Sequence, residues 1–197
     1  NDTLEAILLL FGKKIAGLDL TDCWTLSDQA LAKVARLCPN MTQLILSNCW
    51  SVTEKGFTRL LQLVPKSLDH LEVKACPGLT CGPLDLMKSL RLKHIDFSLC
   101  KNLSGQVWTY LLGQRMTLES LIMRRCTSIS GQSILEALQR EPEANFPSLQ
   151  VLDLSDCSLL PDAAICGVVA RCPKLVSLSI SFCQDLDIHF FENLHKA

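Results

Sequence analysis

A short phrase, apolar-x-apolar-x-x-Cys, recurs seven times in this chain, and no other feature restricts its fold so strongly. It reads LDLTDC at Leu18–Cys23, LILSNC at Leu44–Cys49, LEVKAC at Leu71–Cys76 and IDFSLC at Ile95–Cys100. It continues as LIMRRC at Leu121–Cys126, LDLSDC at Leu152–Cys157 and LSISFC at Leu178–Cys183. Successive cysteines stand 26, 27, 24, 26, 31 and 26 residues apart. A period in this range marks stacked supersecondary units. Within each phrase apolar and polar residues alternate, the period of a half-buried strand. A small polar residue follows a few positions later, as at Ser27, Thr53 and Ser130, and its oxygen can cap a helix by accepting an orphan N–H. An apolar stripe at helical spacing comes next, as in Ala30, Leu31, Val34 and Ala35. Pro39, Pro65, Pro147 and Pro173 then forbid further helix.

One such unit cannot bury both its strand and its helix, but a stack of them can. The sequence therefore predicts an α/β solenoid, a horseshoe with a concave parallel sheet of about seven strands and helices on the convex side. Strands should start near residues 17, 43, 70, 94, 120, 151 and 177. Leu18, Leu44, Leu71, Ile95, Leu121, Leu152 and Leu178 should point into the core. The third repeat carries Pro77, Gly78, Gly82 and Pro83, which predicts one ragged helical turn. The fifth is long, with a loop over Glu141–Pro147. Thr3–Phe11 reads as the helix of a preceding repeat and His189–His195 as the start of a final one. Residues 1–197 thus form a single domain. Because the chain begins at Asn1 rather than Met, we expect a processed or longer protein.

The chain holds 11 cysteines, an odd number with no C-x-x-C pair, so a zinc site built on paired cysteines is not indicated. Seven belong to the repeated phrase, where each ends a strand pointing inward. Cys38, Cys81, Cys166 and Cys172 lie outside the ladder and read as small core residues. Free thiols are expected, and with them a reducing compartment, the cytosol or nucleus. No apolar run approaches the roughly 20 residues that span a bilayer. A net charge of −1 with no long run of one sign speaks against nucleic-acid binding.

The full unit, L-x-x-L-x-L-x-x-C-x-x-[I/L/V]-[S/T]-[D/E]-x-x-[L/F]…C-P, is most complete from Leu18 to Cys49 and from Leu152 to Cys183. It resembles the cysteine-containing leucine-rich repeat. That repeat is best known from F-box proteins, the substrate receptors of cullin-type ubiquitin ligases. It also occurs in relatives without an F-box, such as mitotic-exit antagonists and a yeast repair-associated ligase subunit. The resemblance implies a leucine-rich-repeat fold and a substrate-receptor role, with a cullin-ligase adaptor bound through a segment outside these residues, which contain no F-box. A non-ligase scaffold or regulator is the alternative, and a nucleic-acid-associated repair factor a more distant one.

Motifs for phosphate cradles, dinucleotides, zinc proteases and nucleophilic serines do not occur. We therefore expect a binding protein, not an enzyme, monomeric and without a cofactor. Outward strand positions carry the candidate site. His70 and Glu72 on one strand and His94 and Asp96 on the next share a face, because residues i and i+2 do and adjacent strands lie about 4.8 Å apart. These are metal-ligand types, but the same square reads as a polar binding surface, and on the residues alone no metal is assigned. Lys74 and Arg124 extend the face with charge, and Arg124, Arg125 and Lys101 offer a basic spot. Ile45 and Ile122 are apolar where water is expected. Trp24 and Trp50 each follow a ladder cysteine and should stand side by side on the rim, as tryptophans at interfaces do. Trp108 reads as convex-side packing.

Overall fold

In a computed structural model the described residues are 2–112, 117–183 and 190. Seven three-residue strands form one parallel sheet in sequence order. They are β1 (Gly17–Asp19), β2 (Gln43–Ile45), β3 (His70–Glu72), β4 (His94–Asp96), β5 (Ser120–Ile122), β6 (Val151–Asp153) and β7 (Ser177–Ser179). All seven begin where the repeat predicts. The register is set by the middle apolar residue, with Leu18 beside Leu44, then Leu71, Ile95, Leu121, Leu152 and Leu178. A one-residue slip would turn every one of these side chains to water. The five inner ones are buried, but Leu18 and Leu178 are only half-buried. A solenoid covers its end strands from one side only.

Hydrogen bonding between repeats continues past the strands, for example from Leu46 N to Glu72 O and from Asn48 N to Lys74 O, both 2.8 Å. The chain then reverses at the residue before each ladder cysteine. Asp22, Asn48, Ala75, Leu99, Arg125, Asp156 and Phe182 all take a left-handed conformation there, with φ between 51° and 63°. The cysteine locks the corner. Cys49 Sγ donates to Leu20 O at 3.3 Å, Cys76 to Leu46 O at 3.0 Å and Cys100 to Val73 O at 2.8 Å. Cys126, Cys157 and Cys183 repeat the bond to Phe97 O, Met123 O and Leu154 O. Each thiol thus ties its repeat to the one before.

Helices α1 (Asp2–Phe11), α2 (Asp28–Leu37), α3 (Glu54–Leu63), α4 (Gln106–Leu112), α5 (Gly131–Arg140) and α6 (Asp162–Val169) form the second layer. A 3-10 helix over Gly82–Ser89 stands for the α-helix of the third repeat. Ser27 caps α2 through Ala30 N, and Ser130 caps α5 through Ser133 N. Thr53 does not cap α3. Its N–H and hydroxyl both donate to the Asp28 carboxylate of the preceding repeat, at 2.9 and 2.6 Å, so the residue stitches repeats together instead. Trp108 is fully buried, edge-on to Phe146 at 6.5 Å between centroids. The final helix predicted over 189–195 lies outside the described residues except for Phe190, which is helical and buried.

Residues 141–147 form the predicted loop, held down by Arg171. Its guanidinium donates to Ala144 O, Leu138 O and Pro142 O, and within its own segment to Gly167 O. Phe146 N donates back to Arg171 O at 2.8 Å. Among the described residues no helix is long and apolar enough to cross a membrane.

Candidate functional site

Strands β3 and β4 place four polar side chains on one face because His70 pairs with His94 and Glu72 with Asp96. The imidazoles stack, centroids 4.1 Å apart and planes 13° from parallel. His70 Nε2 lies 2.9 Å from Glu72 Oε1, and His94 Nε2 lies 3.9 Å from the same oxygen. Lys74 extends one residue pair beyond β3 and folds back over both carboxylates. Its ammonium is 2.7 Å from Glu72 Oε2 and 3.2 Å from Asp96 Oδ2.

Protonation follows from this packing. Burial works to raise the Glu72 carboxyl, but hydrogen bonds from Lys74 and His70 outweigh it and hold the group below its ordinary range. Burial works to lower Lys74, yet the two carboxylates hold its ammonium above the usual value. His94 is pushed down, first by burial and then by the neighbouring His70, so it favours the neutral imidazole.

Asp96 departs from expectation. Read as an outward, contactable residue, it is only 2% exposed. Lys74 covers one oxygen, and the other accepts the Ser98 N–H at 2.9 Å. Asp19 and Asp153 accept Thr21 and Ser155 N–H in the same way, so an aspartate here serves the corner of its own repeat. Ser47 and Ser98, which strand alternation also turns outward, are buried too. Asp96 therefore positions Lys74 and is itself covered by it.

Arg124 is exposed and lies 3.7 Å from Asp153, while Arg125 lies 3.3 Å from Asp156. The two arginines, Lys74, Ile122, Leu99 and these aspartates line a shallow hollow of about 490 Å³ beside the histidine pair. The hollow joins Lys74 and Asp96 to Ile122 and Arg124. Ile45 and Ile122 are half-buried, each flanked by a carboxylate-bearing residue on both neighbouring strands. Trp24 and Trp50 stack on the rim and are 57% and 60% exposed. No hydrogen bond or ring contact joins them to the histidine cluster among the described residues. Asp153 is an outward position that strand phase predicts, whereas Leu99 and Asp156 in the hollow are not expected from the sequence. The LDLSDC phrase carries a signal for Asp156, and Leu99 has none because its exposure follows from the left-handed corner.

No family model matches the chain, and no curated protein matches it by sequence. Solved structures do. A chain from the crystal structure of the yeast Rad7–Elc1 complex superposes with a TM-score of 0.67 at 17% identity, over 90% of this chain and 52% of that one. This chain therefore spans about half the length of its counterpart. The leucine-rich repeat-containing protein LegL7 of Legionella pneumophila aligns over 84% of this chain and 65% of its own at 16% identity, with a TM-score of 0.39. Strand order, period and the first superposition together define the class: the fold is an α/β leucine-rich-repeat solenoid.

Proposed function

We propose that the chain is a protein-recognition module, not an enzyme, that binds a target on its concave face. The observation that carries this reading is the run of side chains from Trp24 and Trp50 through His70, Glu72 and Lys74 to Ile122 and Arg124. None of them fills the core, and two of the largest are more than half exposed. Isolated apolar anchors among paired charges suit a protein surface. A shallow open sheet does not enclose a small molecule.

Within that reading the chain serves as the substrate-receptor part of a cullin-type ubiquitin-ligase system, in the cytosol or nucleus. Support comes from the cysteine-containing repeat and from the likeness to a chain of the yeast Rad7–Elc1 complex. The test is affinity capture with the native full-length protein and with Trp50→Ala, Glu72→Ala and Arg124→Ala. Co-purification of a cullin adaptor and loss of a shared target in the three variants is the expected result. A target recovered without any adaptor would favour a non-ligase scaffold. Capture unchanged by all three substitutions would move the surface to the loop at 141–147 or the convex helices.

A further inference from the structure

We propose that His70, Glu72 and His94 form a binding site for one divalent transition-metal ion of the zinc type. The residues alone read as a polar surface, but the structure does more than place them on one face. It brings one ligand atom each of His70, Glu72 and His94 within 4.8 Å of one another. Zinc binds imidazole nitrogen and carboxylate oxygen at about 2.0–2.2 Å, so tetrahedral ligand atoms stand about 3.3 Å apart. The two distances to Glu72 Oε1, 2.9 and 3.9 Å, bracket that value. The imidazoles must tilt from their near-parallel stack until their planes converge on the ion. Side-chain torsions suffice for this, and the strands stay in place.

Three further features fit an ion. A pair of residues at i and i+2 on β3 with a cross-strand neighbour on β4 supplies three ligands from one rigid sheet, which fixes their spacing before any ion arrives. Lys74 grips Glu72 Oε2 and Asp96 Oδ2, which leaves Glu72 Oε1 free to face the histidines and orients it as an outer-shell partner does. The imidazoles stand face to face with centroids 4.1 Å apart, so both rings lie within reach of one small ion. The ammonium of Lys74 also limits affinity, so the site is one of exchangeable occupancy and not a structural metal centre. Binding of His70 Nε2 requires its ring proton to sit on Nδ1, a change of tautomer with no oxidation or reduction. The ladder thiols from Cys49 to Cys157 do not compete, because each is buried and donates to a carbonyl. This site stands independently of the partner reading, since its test uses the metal alone.

The experiment is calorimetric titration of Zn²⁺ into the reduced protein, paired with the absorption spectrum of its Co²⁺ complex. We expect saturable one-to-one binding tighter than millimolar and Co²⁺ ligand-field bands without thiolate charge transfer. His94→Gln and Glu72→Gln should each weaken binding by about tenfold or more, with circular dichroism unchanged. Three results would overturn the site: no saturable binding by the native chain, binding unaltered in both variants, or a thiolate charge-transfer band.

Discussion

The indole of Trp24 lies over that of Trp50, ring centroids 5.9 Å apart and planes 16° from parallel, in two loops one repeat apart. Strand spacing brings the loops together, and the rings cover each other but not the core. Trp108 is the third tryptophan and is fully buried. Iodide should therefore quench two of three tryptophans in the native protein. Either Trp24→Phe or Trp50→Phe should remove the far-ultraviolet exciton couplet that stacked indoles produce. Unfolding free energy should change by about 1 kcal/mol or less for either, because neither ring fills a cavity. A loss of several kcal/mol would show that the pair holds the fold and would weaken its assignment to a partner.

The cysteine ladder predicts a pH dependence. Burial pushes the thiol of Cys49 up to about 12, Cys76 to about 11, Cys126 to about 12 and Cys157 to about 11. In the unfolded chain a thiol ionises near about 8.5. Above that pH the unfolded state binds fewer protons than the folded one, so stability falls as pH rises. The contribution is whole below about pH 8.5 and drains away toward the folded values. Urea midpoints should drop between about pH 8 and about pH 10, and less so in Cys76→Ser, which removes one ionising group. A flat profile would mean these thiols titrate normally. Alkylation of the denatured, unreduced protein should label close to all 11 cysteines, and a reproducible shortfall in pairs would reveal disulfides.

The seven strands were legible because one phrase carries both the alternation and the inward cysteine, so a single repeat sets the register for all. Burial of Leu44 or Leu121 followed directly; partial exposure of Leu18 and Leu178 did not, since it depends on which repeats stand at the ends. The polar square at His70, Glu72, His94 and Asp96 was legible from strand phase alone. The closure of Lys74 over Asp96 was not, because it depends on a torsion of a long side chain. Nor did the left-handed corners show themselves. Asp22, Asn48 and Asp156 are residues that tolerate this conformation, but Ala75, Leu99, Arg125 and Phe182 are not, and they hide the pattern.

That mixture yields a stability prediction. Ala75 sits at φ 51°, where a Cβ costs about 1–2 kcal/mol. Ala75→Gly should raise the unfolding free energy by about 0.5–1 kcal/mol, after the extra freedom of glycine in the unfolded chain is set against the relief. Asp22→Gly, at a corner already occupied by a tolerant residue, should gain less. Chemical denaturation of both variants decides it, and a loss at Ala75 would show that its methyl packs usefully.

Arg171 should anchor the long loop of the fifth repeat. It donates to Ala144 O at 3.0 Å, Leu138 O at 3.0 Å and Pro142 O at 3.3 Å. Arg171→Ala leaves these carbonyls without their charged donor and should cost about 2–3 kcal/mol. Arg171→Lys should not restore it, because a single ammonium cannot span the three sites. A glutamate-specific protease should cut the variant faster after Glu143, which is exposed, whereas Pro142 shields the bond after Glu141. Unchanged cleavage would show that Phe146, buried beneath the loop, suffices to hold it.

Each ladder thiol from Cys49 to Cys183 reaches back to a carbonyl of the preceding repeat and no farther. Mechanical load is therefore carried in series, every joint bearing the same tension through its sulfur bond, a short row of amides and side-chain stitches such as Thr53 to Asp28. Pulled from its ends, the molecule should lengthen in discrete steps of one repeat each, with the weakest joint giving way first and the others still closed.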